Sequence, residues 1–211
     1  MRLDSGNVFR APILDALPWL DHGFGTRLSS EWPSKDRLAW VKQIHSDRVL
    51  LADQAGALGE GDALISNTPG VTLSVRTADC LPILMADPLN RAVAAVHAGW
   101  RGVVQEIVPK TIAEMQRRFG TLPQNLVIAI GPGIGPCCFE VGSEVAVQFG
   151  LTGRVKIDLI ETILRQLRRN GGTMGQVATA NECTKCHPEL YESYRRDKDS
   201  AGRMISAITL L

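Results

Sequence analysis

Between residues 71 and 96 the chain passes through three apolar runs in quick succession, Val71–Val75, Leu81–Ala86 and Ala92–Val96. Runs of five or six residues, dense in Val, Leu, Ile and Ala, read as strands buried on both faces. Leu126–Ile130 is a further such run, and Met204–Leu211 closes the chain in the same style. A set of doubly buried strands needs apolar cover on each side, which limits the fold to a layered one.

Two segments supply helices for that cover. Asp158 and Glu161 form a capping box ahead of an apolar stripe of Leu159, Ile160, Ile163, Leu164 and Leu167, and Asn170-Gly171 ends it. Val103–Phe119 carries helical spacing at Val104, Ile107, Val108, Ile112 and Met115, with Pro109 expected to kink it or start a second helix. The expected fold is α+β (mixed α/β): a single-domain sandwich of mixed β-sheet with flanking helices, covering residues 1–211. No repeat, low-complexity tract or long Pro/Gly/Ser linker divides it.

An apolar share of 45% and a charged share of 21% exclude extended disorder. Lys and Arg number 23 against 22 Asp and Glu, so the net charge of +1 gives no reason to expect nucleic acid or an anionic membrane as partner. Charges and a proline interrupt every apolar stretch of MRLDSGNVFRAPILDALPWL, so no signal-peptide core is expected and the compartment is read as cytoplasmic. Thiols stay reduced there, and the odd number of cysteines, five, excludes a complete disulfide set.

The chemistry concentrates in three places. AVAAVHAGWRG (residues 92–102) presents His97 at the end of a buried strand, ahead of a glycine turn that holds Trp100 and Arg101. Such strand ends are where α/β proteins place ligand contacts. VTLSVRTADCLPIL (residues 71–84) has a polar knot, Arg76 to Cys80, where a buried strand pair is expected to turn. Asp79 is placed there to accept a hydrogen bond from a ligating histidine. WVKQIHSDRV (residues 40–49) contains Gln43 and His45. Taken singly, His97 is also readable as a core histidine, Cys80 as a small buried hydrophobe and His45 as a surface residue. Together they offer two imidazoles and a thiolate, the donor set of a catalytic zinc site with a fourth position for water. Zinc would bring that water's pKa to roughly 7.

KQIHSDRV, GDALIS, TADCLPILMAD, AVAAVHAGWRG, IGPGIGPCCFEVGSEV and the C-terminal CT, YESYRRD and GRMISAI elements resemble, in content and order, the YfiH-type family. That family has been called polyphenol oxidase or laccase-domain protein, and later a zinc-dependent purine nucleoside phosphorylase. The resemblance runs from about His22 to the C-terminus and implies zinc ligands at His45, Cys80 and His97. It further implies phosphorolysis of adenosine, inosine and methylthioadenosine, with accompanying adenosine deaminase activity, so the partners are a small purine nucleoside and phosphate. Arg101 is then the candidate anion-binding group, and Asp79 and Gln43 are candidates for orienting the site. HGFGTR (residues 22–27) fits the pattern, but only a short Ser/Glu/Trp/Pro stretch separates it from Trp40, where the family carries a longer segment.

Other readings remain at this point. Copper on the same ligands would allow phenol oxidation, but a trinuclear copper cluster needs many histidines and the chain has four. Cys80 with His97 could act as a nucleophile–base pair in an amide hydrolase that edits peptidoglycan precursors. A binding module without turnover is the fourth reading.

Two further motifs are set aside. Cys183-Thr-Lys-Cys186-His187 matches a c-type haem attachment pattern, which would need export, or half a zinc ribbon. No second half follows it, and adjacent Cys137-Cys138 are not expected to supply one. Gly131-Pro-Gly133-Ile-Gly135 lacks the backbone donors of a dinucleotide loop, and reads as a turn passing close to the substrate pocket.

Overall fold

Along Leu81–Asp87 the side chains alternate strictly. Ile83 and Met85 enter one apolar cluster and Leu84 and Ala86 another, as a strand with period two must do when both faces are covered. Ala92–Ala98 repeats the pattern, with Ala94 and Val96 on one side and Val93 and Ala95 on the other. In the computed structural model, which describes residues 1–211, these two antiparallel strands occupy the middle of a six-stranded sheet. Its order is Val177–Thr179, Val127–Ile130, Leu81–Asp87, Ala92–Ala98, Ala63–Ser66, Val49–Leu51.

A seven-stranded sheet covers one face, centred on Met204–Leu210 between Leu20–Gly25 and Thr72–Thr77. Leu73, Val75, Ile208 and Phe24 from that sheet pack with Leu84, Val93 and Ala95. Helices cover the other face. Ile107, Ile112 and Met115 of helix Ile107–Phe119, and Ile163 and Leu167 of helix Leu159–Arg169, bury against Ile83, Met85 and Val96. The result is the expected mixed-sheet α+β sandwich, in three layers.

The helix boundaries follow the local signals. Asp158 Oδ1 accepts the Glu161 N–H at 2.9 Å, and Gly171 leaves the second helix at a φ of 82°. The segment from residue 103 to 119 is two helices, Trp100–Val104 and Ile107–Phe119, divided at Glu106, whose φ is 60°. Pro109 falls in the first turn of the second, where no carbonyl waits for its missing N–H.

One expectation fails. The polar knot Arg76–Cys80 does not join a strand pair. Thr72–Thr77 pairs with Met204–Leu210 and with Leu38–Lys42 in the outer sheet, while Leu81–Asp87 belongs to the central sheet. The knot is the crossover between layers, and Asp79 takes a φ of 86° to make it. Two flanking apolar runs look alike whether they form a hairpin or change sheets, which is why the sequence did not separate the two cases. No helix is long and apolar enough to cross a membrane.

Candidate metal centre and its cleft

The crossover delivers Cys80 to the edge of the sandwich beside the end of strand Ala92–Ala98. In the antiparallel register His97 lies opposite Pro82 and Ala98 opposite Leu81, so Cys80 comes level with Gly99. His45 arrives from a third direction, in the loop after strand Leu38–Lys42, at a φ of 58°. The left-handed region is sparsely used by non-glycine residues and is held here by surrounding bonds.

Those bonds come from Asp62, fully buried at the start of strand Ala63–Ser66. Its carboxylate accepts the N–H groups of Ile44 (3.3 Å), His45 (3.0 Å) and Ser46 (2.6 Å), and the Ser46 hydroxyl (2.7 Å). It also accepts His97 Nδ1–H at 2.8 Å, while its own carbonyl takes the His97 N–H at 2.8 Å. One side chain therefore shapes the His45 loop and fixes the His97 ring. With Nδ1 engaged, Nε2 of His97 is the nitrogen left for the site.

The donor atoms of His45, Cys80 and His97 all lie within 4.8 Å of one another, with Cys80 Sγ 4.0 Å from His45 Nε2. The two imidazoles meet edge to face, their centroids 4.9 Å apart. In a tetrahedral zinc site the sulfur and nitrogen donors stand about 3.6 Å apart, so a small inward movement would close this set around an ion. Gly99 makes the approach possible: a Cβ there would lie 3.0 Å from Cys80 Sγ and 3.1 Å from His45 Cδ2.

Asp62, Cys80 and His97 set one another's charge. Burial acts to raise the Asp62 carboxyl, but the bonds from His97 and Ser46 prevail and hold it at about 2. Burial likewise opposes the charged forms of the other two. Contact with both imidazoles nevertheless brings the Cys80 thiol down to about 6, and Asp62 and Cys80 push His97 up to about 9.

A family model described as multi-copper polyphenol oxidoreductase laccase matches residues 26–211. The chain belongs to this family. It is 37% identical over 188 residues to a purine nucleoside phosphorylase of Clostridium acetobutylicum, covering 84% of this chain and 79% of that protein. It is also 37% identical over 191 residues to the purine nucleoside phosphorylase YfiH of Escherichia coli K12, covering 85% and 75%. A crystal structure of a YfiH protein from Bacillus licheniformis matches with a TM-score of 0.90 at 26% identity, over 100% of this chain and 98% of that one.

The remaining candidate residues of this YfiH-type chain separate into two groups. Arg101 lines the same cleft as the three donors; its guanidinium rests 4.5 Å from the centre of the Trp100 ring and pairs with no carboxylate. Asp79 and Gln43 also border the cleft but do not orient the histidines. Asp79 accepts Thr184 Oγ1–H at 2.6 Å and the Arg195 N–H at 2.5 Å, because its left-handed backbone turns the carboxylate toward the C-terminal loops. Both amide atoms of Gln43 bond the main chain of Arg76, each at 2.8 Å. The carboxylate expected of Asp79 is supplied instead by Asp62. Its trace in the sequence was an acidic residue abutting the apolar run Ala63–Ser66, within GDALIS.

The cleft has a volume of about 1310 Å³. Trp40 and Tyr194 line it at 46% and 47% exposure, and buried Phe139 lies in its wall beneath the Arg195 guanidinium. Ile134, from the glycine turn after strand Val127–Ile130, reaches its wall as expected of that turn.

Proposed function

We propose that the chain is a zinc-dependent purine nucleoside phosphorylase acting on adenosine, inosine and S-methyl-5′-thioadenosine, with an accompanying adenosine deaminase activity. The observation that carries this reading is the convergence of His45, Cys80 and His97 in a cleft that also holds unpaired guanidinium groups and aromatic faces. The relatives named purine nucleoside phosphorylase support the choice of substrate.

In phosphorolysis a phosphate oxygen bonds C1′ of the ribose while the bond from C1′ to the purine nitrogen breaks. The electron pair leaves with the base, which takes up a proton, and ribose 1-phosphate remains. His45, Cys80 and His97 would hold the zinc, which would supply Lewis-acid charge when bound. Arg101 and Arg76, both lining the cleft, are suited to hold the phosphate in the bidentate manner of guanidinium. Gln43 positions Arg76 by fixing its main chain. Trp40 and Tyr194 offer flat faces to the purine. In deamination, water replaces the amine at purine C6 and ammonia leaves. Five free thiols suit a reducing compartment, and we assign the chain to the cytoplasm.

Incubation of zinc-replete protein with adenosine and phosphate, followed by chromatography, is expected to give adenine with ribose 1-phosphate, and some inosine. Full activity in Cys80→Ser would contradict the assignment. A second reading, Cys80 as nucleophile in an amide hydrolase, draws on its lowered pKa beside His97. Activity that survives a chelator and is abolished by thiol alkylation would favour it. For copper-dependent phenol oxidation, metal analysis of protein grown without added copper is the corresponding check.

A further inference from the structure

Of the five free cysteines the cleft uses one, Cys80. The other four form two pairs, Cys137-Cys138 and Cys183/Cys186, separated by more than forty residues. The expectation that the first pair does not complete the second fails in three dimensions. Residues 131–135 run parallel to residues 182–184, with the Gly133 N–H on Glu182 O (3.3 Å) and the Thr184 N–H on Gly133 O (3.0 Å). This pairing sets two turns against each other. In one, the N–H groups of Cys138 and Phe139 close on Gly135 O; in the other, the Cys186 N–H closes on Cys183 O at 3.1 Å.

Their four sulfurs lie within 4.8 Å of one another, and Cys186 Sγ is 3.7 Å from Cys137 Sγ and 3.5 Å from Cys138 Sγ. Sulfurs around a tetrahedral ion with bonds of about 2.3 Å stand ~3.8 Å apart. The Gly135 N–H donates to Cys183 Sγ at 3.3 Å, the type of bond that orients a ligating thiolate. Gly135 also leaves the space open: a Cβ there would meet Cys137 Sγ and Cys183 Cβ at 3.3 Å. His187, the histidine of the haem-like motif, turns instead to Glu189 (3.2 Å) and Glu182 (3.6 Å).

We propose that Cys137, Cys138, Cys183 and Cys186 form a second metal site, a closed tetrathiolate for a tetrahedral thiophilic divalent cation such as zinc. Four protein sulfurs leave no position for substrate, so the site is structural. Binding releases thiol protons to solvent as the four metal–sulfur bonds form, with no change of oxidation state.

The ion would pin two segments that frame the cleft. Thr184, next to Cys183, donates to Asp79, which adjoins Cys80. Phe139 and Glu140, next to Cys138, line the cleft wall, and Glu140 O accepts from the Arg195 guanidinium at 2.8 Å. The second site therefore acts on the first by holding its surroundings in place.

Metal content separates the two sites. Full-length protein purified under reducing conditions with zinc supplied is expected to carry two ions per chain, and Cys186→Ser and His97→Ala one each. Should Cys186→Ser not fold, His97→Ala loaded with cobalt(II) gives the second readout. Its spectrum should show the strong sulfur-to-metal charge transfer and tetrahedral visible bands of a thiolate-rich site. A His97→Ala protein that binds no metal would overturn the proposal. So would prompt reaction of all four thiols with a disulfide reagent in zinc-loaded protein, or a disulfide among them in the reduced preparation.

Discussion

Asp62 holds His97 through a 2.8 Å bond from Nδ1–H to Oδ1, between side chains that are 0% and 4% exposed. The same carboxylate shapes the loop of His45, so two of the three candidate metal donors depend on one acidic group. Cys80 is independent of it, since the crossover between sheets places that residue.

Replacing Asp62 with Asn keeps the side chain's size but removes the charge and one acceptor. Loss of a partner of this kind weakens metal binding about 10–100-fold. Competition against a chromophoric chelator should report that loss in Asp62→Asn. An unchanged affinity would mean that Asp62 is a folding residue only.

Gly99 has a φ of −75° and ψ of 168°, a conformation open to any residue. Its side-chain-free approach to Cys80 and His45 therefore matters for the site and not for the backbone. Gly99→Ala would crowd Cys80 Sγ and His45 Cδ2 and is expected to weaken zinc retention. The unfolding midpoint of the metal-free protein should stay close to that of the parent.

Asp79 anchors Thr184 and Arg195, and this distinguishes it from Asp62. Thr184→Val deletes a buried 2.6 Å bond to its carboxylate. Urea unfolding should show a loss of about 1–3 kcal/mol, the usual cost of leaving a buried polar group short of its partner. Zinc affinity of the His45, Cys80, His97 site should fall far less than in Asp62→Asn; an equal fall would restore Asp79 to the metal's support.

His22 supplies a pH signature remote from the metal. It is buried, and that burial lowers its pKa from 6.5 to about 4, while Nε2 accepts the Ala11 N–H at 2.9 Å. The folded state thus binds a proton less readily than the unfolded chain. Its contribution is complete above pH 6.5 and is lost as pH falls toward 4, amounting to about 3 kcal/mol. Stability measured across that window should decline in the parent protein, and His22→Gln should flatten the decline.

Much of the architecture was legible because burial on both faces leaves a strong mark on short apolar strands. The helix ends were legible through Asp158 and Gly171, whose roles are local. What escaped notice depended on pairing across the sequence. The knot at Arg76–Cys80 looks the same as a hairpin turn or as a change of sheet. Cys137-Cys138 joins Cys183/Cys186 only because residues 131–135 lie along residues 182–184. Asp62 is not legible in the sequence, because an acid beside an apolar strand reveals nothing of the imidazole that folds against it. His45, Cys80 and His97 came together through the family pattern rather than through their spacing.

The most direct test of the account is the phosphate dependence of nucleoside cleavage. Zinc-replete protein given inosine and phosphate should release hypoxanthine and ribose 1-phosphate in equal amounts, with both products falling away in phosphate-free buffer and in His97→Ala. Hypoxanthine accompanied by free ribose, or release that persists without phosphate or without His97, would contradict it.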